Sequence, residues 1–420
     1  MITLQYDFVI VGGGAGGLEL AARLGRKLGR KAGRQRVLLI DRDITHLWKP
    51  SLHEVAAGTL DASQEAVAYP LLARRNHFSF ILGGFIGLDL AQRKLLLAPL
   101  TPAPEAAPRE IGFGQLILAT GSGSNFFNTP GGEAHAYVLE DAEDARLFHA
   151  RLIQMFLEAA YGARSQLSIA IVGAGATGTE LAAEILAGHR ELSLGLHPSH
   201  HFQLKVTLVE AGSRILGGLS ADLSRDVHAE LERRGVSIRV NTRVVEATPA
   251  GLQTSEGPIK ADAVVWAAGV LASSRNLDLG LETGPLNRIL VDDRLRTSHP
   301  GIHAMGDCAQ LSSGALPPTA QVASQQARYL ARTLLQDREP GPFRYRNRGA
   351  LVSLSHYGAV GSLMGGLLGK GFMVEGLVAR SLYAGIRFDH YRTVVGLRRT
   401  LLMGLARLFS KRASGRLKLH

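Results

Sequence analysis

The sequence predicts an α/β protein built on two copies of one β-α-β unit, and three observations carry that prediction. The segment "DFVIVGGGAGGLELAARL" (Asp7–Leu24) recurs in form as "SIAIVGAGATGTELAAEI" (Ser168–Ile185). Each reads as a short apolar strand, a glycine turn, and a helix with apolar residues at helical spacing. Each is followed by another apolar strand that closes on an acid, "RVLLID" at Asp41 and "KVTLVE" at Glu210. The length of 420 residues exceeds what one hydrophobic core usually holds and suits about two or three domains. Two Rossmann-like dinucleotide-binding domains are therefore expected.

The first glycine turn, Gly12-x-Gly14-x-x-Gly17, opens a helix. Its glycines permit a tight turn and let backbone N–H groups approach a diphosphate at the positive helix end. Asp41 is placed to accept hydrogen bonds from a ribose diol. A strand and a Pro-rich turn, "KLLLAPLTPAPEAAPREIGFGQLILATG", lead to a buried strand ending at Ala119-Thr120-Gly121. The second turn, Gly173-x-Gly175-x-x-Gly178 with Glu210, repeats the arrangement. One such set is a weak signal, whereas two in strand–turn–helix context, each with a terminal acid, are a strong one. Glu210 can bind a 2′-hydroxyl and would repel a 2′-phosphate, which favours NAD(H) over NADP(H), although Arg214 stands close.

Between the second glycine helix and its strand, "GHRELSLGLHPSHHF" (Gly188–Phe202) reads as a surface loop, with His197, His200 and His201 solvated rather than metal-bound. A second buried strand, "ADAVVWAAGV", ends at Ala267-Ala268-Gly269, and short strands then close on Gly306-Asp307. "PPTAQVASQQARYL" (Pro317–Leu330) follows as a helix opened by proline. Gln321 and Gln325 share one of its faces, and Ala320, Ala323 and Ala327 share another.

Composition excludes several functions. The hydrophobic share of 46% and mean hydropathy of +0.08 are ordinary for a folded protein. A single cysteine, Cys308, excludes an intramolecular disulfide, a redox dithiol pair and any multi-cysteine metal or iron–sulfur site. It is expected to be an inert packed thiol, and a reducing compartment suits it. The net charge of +11 is concentrated, since nine Lys/Arg and only one acid, Asp389, lie between Arg387 and His420. The basicity belongs to a tail, and no nucleic-acid partner is expected. The N-terminus enters a strand directly, without the basic region or cleavage site of a signal peptide. The uncharged stretch Gly349–Gly369 holds six glycines and reads as strand and turn rather than a spanning helix.

These motifs carry a resemblance. With "ATG" at 119–121 and "HAMGD" at 303–307, the chain resembles the two-dinucleotide-binding-domain flavoproteins. "HLWKPSLHEVAAGTLD" (His46–Asp61), "VGAGATGTELAAEI", "GIHAMGDCAQ" and "PPTAQVASQQA" together resemble type II NADH dehydrogenase, the single-subunit, non-proton-pumping NADH:quinone oxidoreductase. The similarity runs from about residue 5 to the closing "GRLKLH". It implies FAD on Gly12, Gly14, Gly17 and Asp41, with Lys49 of "WKP" running beside the flavin and Ala119, Thr120, Gly121, Gly306, Asp307, Ala320 and Gln321 completing that site. NADH falls to Gly173, Gly175, Gly178, Glu180, Glu210, Ala268 and Gly269. Ala320, Gln321, Ala323 and Gln325 line the site of a membrane quinone, ubiquinone or menaquinone, beside the flavin.

The catalytic candidates implied are Glu180, Gln321 and Gln325, and no metal is expected. A first-turn acid such as Glu180 would also suit the helix dipole without any redox role. The glutamines would offer neutral donors to quinone carbonyls, and the small alanines would let the backbone approach the flavin ring. The lone cysteine separates the chain from disulfide reductases and sulfide:quinone oxidoreductases, whose chemistry runs through cysteines. What remains is a hydride from NADH to FAD and two electrons to a quinone, the entry to a respiratory chain.

The division expected is an FAD-binding domain at 1–130 and 285–342, an inserted NAD(H)-binding domain at 131–284 and a C-terminal domain at 343–420. The last ends in a helix placing Val394, Leu397, Leu401, Leu402, Leu405, Leu408 and Phe409 on one broad face. Arg399 and Arg407 fall opposite, Arg398 intrudes on the apolar face, and Lys411, Arg412, Arg416 and Lys418 follow. Such a helix can lie in the headgroup layer of an anionic membrane, here on the cytoplasmic side of the cell membrane, or serve a homodimer. Two other functions stay open. One is an NADH-dependent reductase of a soluble ferredoxin or rubredoxin, which needs no basic tail. The other is a non-enzymatic, NADH-responsive flavoprotein that signals through a partner.

Overall fold

The strands that open both glycine units are continuous apolar runs, as burial on both faces of a parallel sheet demands. In the computed structural model, which describes residues 4–99, 107–162, 165–336, 338–355, 359–363, 372–374 and 376–413, each run lies at the centre of its own sheet. Leu4–Val11 pairs in parallel with Val37–Asp41 on one side and Arg109–Leu118 on the other. Ser79–Leu82 extends the sheet beyond Val37–Asp41, again in parallel. Arg109–Leu118 changes partner along its length: its first half pairs antiparallel with Lys94–Leu97 and its last residues pair in parallel with Ile302–Ala304. That last pairing brings Gly306-Asp307 back beside the first glycine turn, about 290 residues later in the chain.

The second sheet is parallel throughout, in the order Ala136–Tyr137, Ala263–Trp266, Gln166–Val172, Gln203–Val209, Val236–Arg239. An antiparallel three-stranded sheet, Val244–Thr248, Gly251–Thr254 and Gly257–Lys260, leads into its strand Ala263–Trp266. A two-stranded ribbon, Gly123–Ser124 against Val270–Leu271, marks where the chain leaves for this unit and returns. Trp266 ties the ribbon down, its Nε1–H donating to Asn125 O at 2.8 Å. The helix Leu52–Ala56 belongs to the first unit by sequence, yet Leu52, Val55 and Ala56 pack into the second unit's core with Phe148, Leu181 and Ile185.

Three sequence expectations change here. The segment at 188–202 is largely not a loop, because the second glycine helix runs from Ala176 through Gly195. Arg190, Glu191, Leu192 and Leu194 are all good helix formers, and nothing stops them before Pro198. His197, His200 and His201 bond to Ser199 Oγ, Ala160 O and Leu196 O respectively. The glutamine helix starts at Ala320 rather than Pro317, since Thr319 caps it by accepting from Val322 N–H. The basic tail is not one helix but two, Gly376–Val395 and Leu397–Ala413, broken at Gly396 with φ +79°. Val394, expected on the amphipathic face, instead enters the first unit's core with Tyr391 and Val395.

The uncharged stretch does form strands, Gly349–Ser353 and Ala359–Leu363, in an antiparallel sheet completed by Phe372–Val374. The middle of the Pro-rich turn, 100–106, lies outside the described residues, as do Arg416 and Lys418 and the side chains of Arg407, Leu408, Phe409, Lys411 and Arg412. Among the described residues no helix is long and apolar enough to cross a membrane.

Candidate active site

The two glycine turns superpose in their logic down to single atoms. Gly12 and Gly173 have φ of +99° and +96°, a region open to glycine and costly for other residues. A Cβ on Gly17 would lie 1.9 Å from Gly12 O, and one on Gly178 would lie 2.0 Å from Gly173 O. Glycine at these positions is what lets each helix start against its strand. Asp41 and Glu210 occupy matching places and act alike. Asp41 accepts from Gly13 N–H and, at 2.8 Å, Asp43 N–H. Glu210 accepts from Ala174 N–H and Gly212 N–H, both at 2.8 Å. Burial raises the Asp41 carboxyl above its ordinary range, with the two backbone donors opposing.

Gly14 and Gly175 cap the helices and face open space, where an added Cβ would meet nothing within 4 Å. A helix N-terminus with unbonded N–H groups, a strand-end acid and an open approach fit a dinucleotide at each turn. In the second cradle the Arg214 guanidinium is committed to Leu219 O and Gly217 O, at 2.8 and 2.9 Å. It is therefore not free to receive a 2′-phosphate, which agrees with the preference read from Glu210.

Around the first cradle, Lys49 Nζ donates to Ser122 O at 3.0 Å, next to Ala119-Thr120-Gly121, and Ser122 Oγ donates to Asp307 Oδ2 at 3.0 Å. Lys49, the strand-end turn and Gly306-Asp307 are thus brought into one hydrogen-bonded group. At the second cradle, Ala268 sits directly against Gly173, and its carbonyl accepts from Trp266 Nε1–H at 3.2 Å. Gly269 follows with φ +67°.

Glu180 lies two residues past Gly178 and is 6% exposed. Its Oε1 accepts from Ser353 N–H at 2.9 Å, and its Oε2 is 3.4 Å from His53 Nδ1. Burial pushes the Glu180 carboxyl well above the carboxylate range, against the Ser353 N–H and with Glu54 and Glu184 adding to the rise. Burial likewise lowers His53, so both partners are shifted toward their uncharged forms. His53 Nε2 is buried without a hydrogen-bond partner among the described residues.

The glutamines behave differently from expectation. Gln321 donates to Gly349 O at 3.0 Å and accepts from Arg348 N–H and Tyr345 O–H. Gln325 donates to Arg346 O at 2.8 Å and accepts from Arg346 N–H. Both amides therefore brace the segment leading into strand Gly349–Ser353. The small face is also spoken for: Ala323 and Ala327 are buried against the first glycine helix, and a Cβ on Gly16 would lie 3.1 Å from Ala323 Cβ. Ala323 and Ala327 serve a close helix–helix crossing. Cys308 is fully buried, its thiol raised by burial, which leaves it inert.

Sequence reasoning missed five side chains. Gln326, one residue past Gln325 and buried, accepts from Gly306 N–H at 2.7 Å and so holds the Gly-Asp turn. His53 was quoted within a motif and given no role. Glu19, His46 and His390, each 2% exposed, form a hydrogen-bonded chain ending at Gly13 O. One signal was available: Glu19 and Glu180 occupy the same place in the internal echo, "GLELAARL" against "GTELAAEI".

Two dinucleotide cradles, a Gly-Asp turn returned to the first, and no cysteine pair define a two-dinucleotide-domain flavoprotein oxidoreductase. Residues 6–327 match the pyridine nucleotide-disulphide oxidoreductase family. A type II NADH:quinone oxidoreductase of Haemophilus influenzae is 38% identical over 99% of this chain and 100% of that protein. One from Mycobacterium tuberculosis is 28% identical over 86% of this chain and 80% of its own length. The chain belongs to the type II NADH:quinone oxidoreductase family. The fold agrees with a structure of NDH2 from Plasmodium falciparum in complex with NADH, at a TM-score of 0.83, 16% identity and 99% coverage of both chains.

Proposed function

We infer that the chain is an FAD-dependent NADH:quinone oxidoreductase, working without proton pumping and seated on the cytoplasmic face of the cell membrane by its last helix. The observation that supports the acceptor site is strand Gly349–Ser353. Gln321 bonds its first residue and Glu180 its last, so one strand joins the glutamine helix to the acid behind the second cradle. When bound, FAD accepts the hydride of NADH and passes two electrons to the quinone.

The chain's own groups hold, orient and supply protons. The first cradle with Asp41, Lys49 and Asp307 holds FAD, and the second with Glu210 holds NADH. Reduction of a quinone to a quinol consumes two protons. Burial makes Glu180 hold its proton to higher pH than an ordinary carboxyl, and His53 is the neighbour able to replace it. Gln321 and Gln325 shape the acceptor wall by fixing residues 346–349.

The membrane reading draws on the terminal helix. It packs through Thr400 and Met403, while Leu397, Leu401, Leu402 and Leu405 stand 51–63% exposed beside exposed Arg398 and Arg399. Four leucines turned outward beside arginines suit a headgroup layer, each burying there for about 1.5–3 kcal/mol. Leu401→Glu with Leu405→Glu is expected to release the protein from anionic vesicles in co-sedimentation while leaving flavin content unchanged. Persistent dimerisation with no vesicle binding would point instead to a homodimer face. Steady-state NADH oxidation with ubiquinone, menaquinone and a ferredoxin tests the reaction, and rapid ferredoxin reduction with neither quinone active would overturn it.

A further inference from the structure

The buried chain Glu19–His390–His46–Gly13 has no part in the reading above, and it joins the last third of the protein to the first cradle. Its contacts run from Glu19 Oε1 to His390 Nδ1 at 3.1 Å, from His390 Nε2 to His46 Nε2 at 3.0 Å, and from His46 Nδ1 to Gly13 O at 3.1 Å. Gly13 O also accepts from Tyr69 O–H at 2.8 Å. Carbonyl and following N–H of a trans peptide point in opposite directions. Two donors drawing Gly13 O inward therefore turn Gly14 N–H outward, toward the open side where the flavin diphosphate belongs. In the second cradle the equivalent carbonyl, Ala174 O, is held by a backbone donor, Leu216 N–H at 2.7 Å, with Thr179 Oγ1 at 3.4 Å. Among the described residues, only the first cradle has its turn carbonyl held by ionisable side chains.

The proton count of the chain is constrained. A carbonyl only accepts, so His46 Nδ1 carries a hydrogen. The imidazole–imidazole contact needs a second hydrogen, and the contact to Glu19 needs a third. Two neutral imidazoles supply two, so the Glu19–His390 pair holds one more, with no net charge. Burial and the neighbouring His390 pull His46 down to about 3, so His46 is neutral and accepts at Nε2 from His390 Nε2–H. Ser324 Oγ–H and Arg23 also donate to Glu19 Oε2, at 2.9 and 3.3 Å.

The other charged groups facing His390 come from every packed element. Arg23 and Arg26 project from the first glycine helix, and Arg26 donates to Thr393 O. Arg328 of the glutamine helix is paired with Asp389, Arg392 pairs with the same carboxylate, and Arg387 is paired with Glu65. Tyr69 is pushed well above its ordinary value by burial. Asp389 is held ionised by Arg328 and Arg392 against its burial.

We propose that Glu19, His390 and His46 are positioning residues that aim the Gly13–Gly14 peptide at the flavin diphosphate. The helix Gly376–Val395 thereby sets how tightly FAD is held. The proposal rests on FAD occupying the first cradle. Removal of any one link leaves His46 free to change tautomer.

The test is FAD affinity of the flavin-stripped full chain at neutral pH, read by quenching of flavin fluorescence. His390→Ala should bind FAD about 10-fold more weakly than wild type, the equivalent of one lost hydrogen bond to a charged group. Glu19→Gln is the discriminating variant. Its amide can donate to a neutral His390 and accept from Ser324, keeping all three links. It should bind FAD within about twofold of wild type. NADH affinity should stay within about twofold in both variants, since the second cradle is not reached by the chain.

Gly14→Asp places a carboxylate at the open cap without a clash and should abolish FAD binding whatever His390 does. Retained FAD in Gly14→Asp overturns the placement of the flavin. Lost FAD there, with His390→Ala unchanged or Glu19→Gln as weak as His390→Ala, overturns the proposal alone.

Discussion

The two glycine cradles share their backbone and differ in what surrounds them. In both, a positive-φ glycine, a strand-end acid bonded to the middle residue of the turn, and a glycine pressed on a carbonyl oxygen recur almost atom for atom. A buried glutamate sits two residues past each closing glycine, and each has a histidine partner, Glu19 with His390 and Glu180 with His53. The duplicated position has been put to two uses. Glu19 is hydrogen-bonded to Ser324, Arg23 and His390 and faces inward, whereas Glu180 is held by one backbone N–H beside an imidazole whose far nitrogen has no hydrogen-bond partner among the described residues. A shared β-α-β unit thus supplies the binding geometry, and the packing around it gives the two equivalent acids different partners.

The largest expected effects test whether the cradles are independent. Gly17→Ala drives a methyl group into Gly12 O and should remove FAD and about 3 kcal/mol of stability, read by flavin content and denaturant unfolding. Gly178→Ala should weaken NADH about 100-fold in a protein that stays yellow, and concurrent loss of flavin would break the comparison.

Glu180→Gln follows. It should slow quinone reduction about 100-fold in rapid mixing while NADH still reduces the flavin at close to the normal rate. Because the folded-state carboxyl is raised, its proton is present at low pH and is lost as pH rises through the raised value. Wild-type quinone reduction should therefore decline as pH rises, and the variant should lack that decline. Stability follows the same sign: it falls as pH rises from the ordinary carboxylate range through the raised value, and Glu180→Gln should lessen that loss.

Glu210→Ala should lower kcat/KM for NADH about 10-fold and improve NADPH little, since Arg214 remains bonded to loop carbonyls. The smallest effect is expected for Gln325→Leu. Quinone reduction should fall about fivefold through loss of the bonds to Arg346, with reduction of FAD by NADH nearly intact. Equal loss in both half-reactions would remove Gln325 from the acceptor side.

What was legible beforehand was legible for local reasons. Asp41 and Glu210 could be placed because a strand, a turn, a helix and a second strand are specified within about 40 residues by periodicity and glycine spacing. The glutamine face was also recognised, yet its partners were not, because Arg346 and Gly349 lie in a strand-like segment with no pattern pointing back at Gln321. The helix break at Gly396 was missed because a helical wheel is blind to one positive-φ residue. Gly188 was read as a break where the chain simply continues its helix.

The sequence by itself determined two dinucleotide cradles, the absence of thiol redox chemistry and a basic end to the chain, since glycine spacing, a cysteine count and charge placement are local properties. Only the tertiary structure decided that the small face of the glutamine helix belongs to Gly16. It alone brought strand Gly349–Ser353 between Gln321 and Glu180, and His390 to within 3.0 Å of His46, a residue 344 positions away. The physical reason is that such contacts are set by how packed elements meet, and no periodicity along the chain encodes which buried side chain will face another.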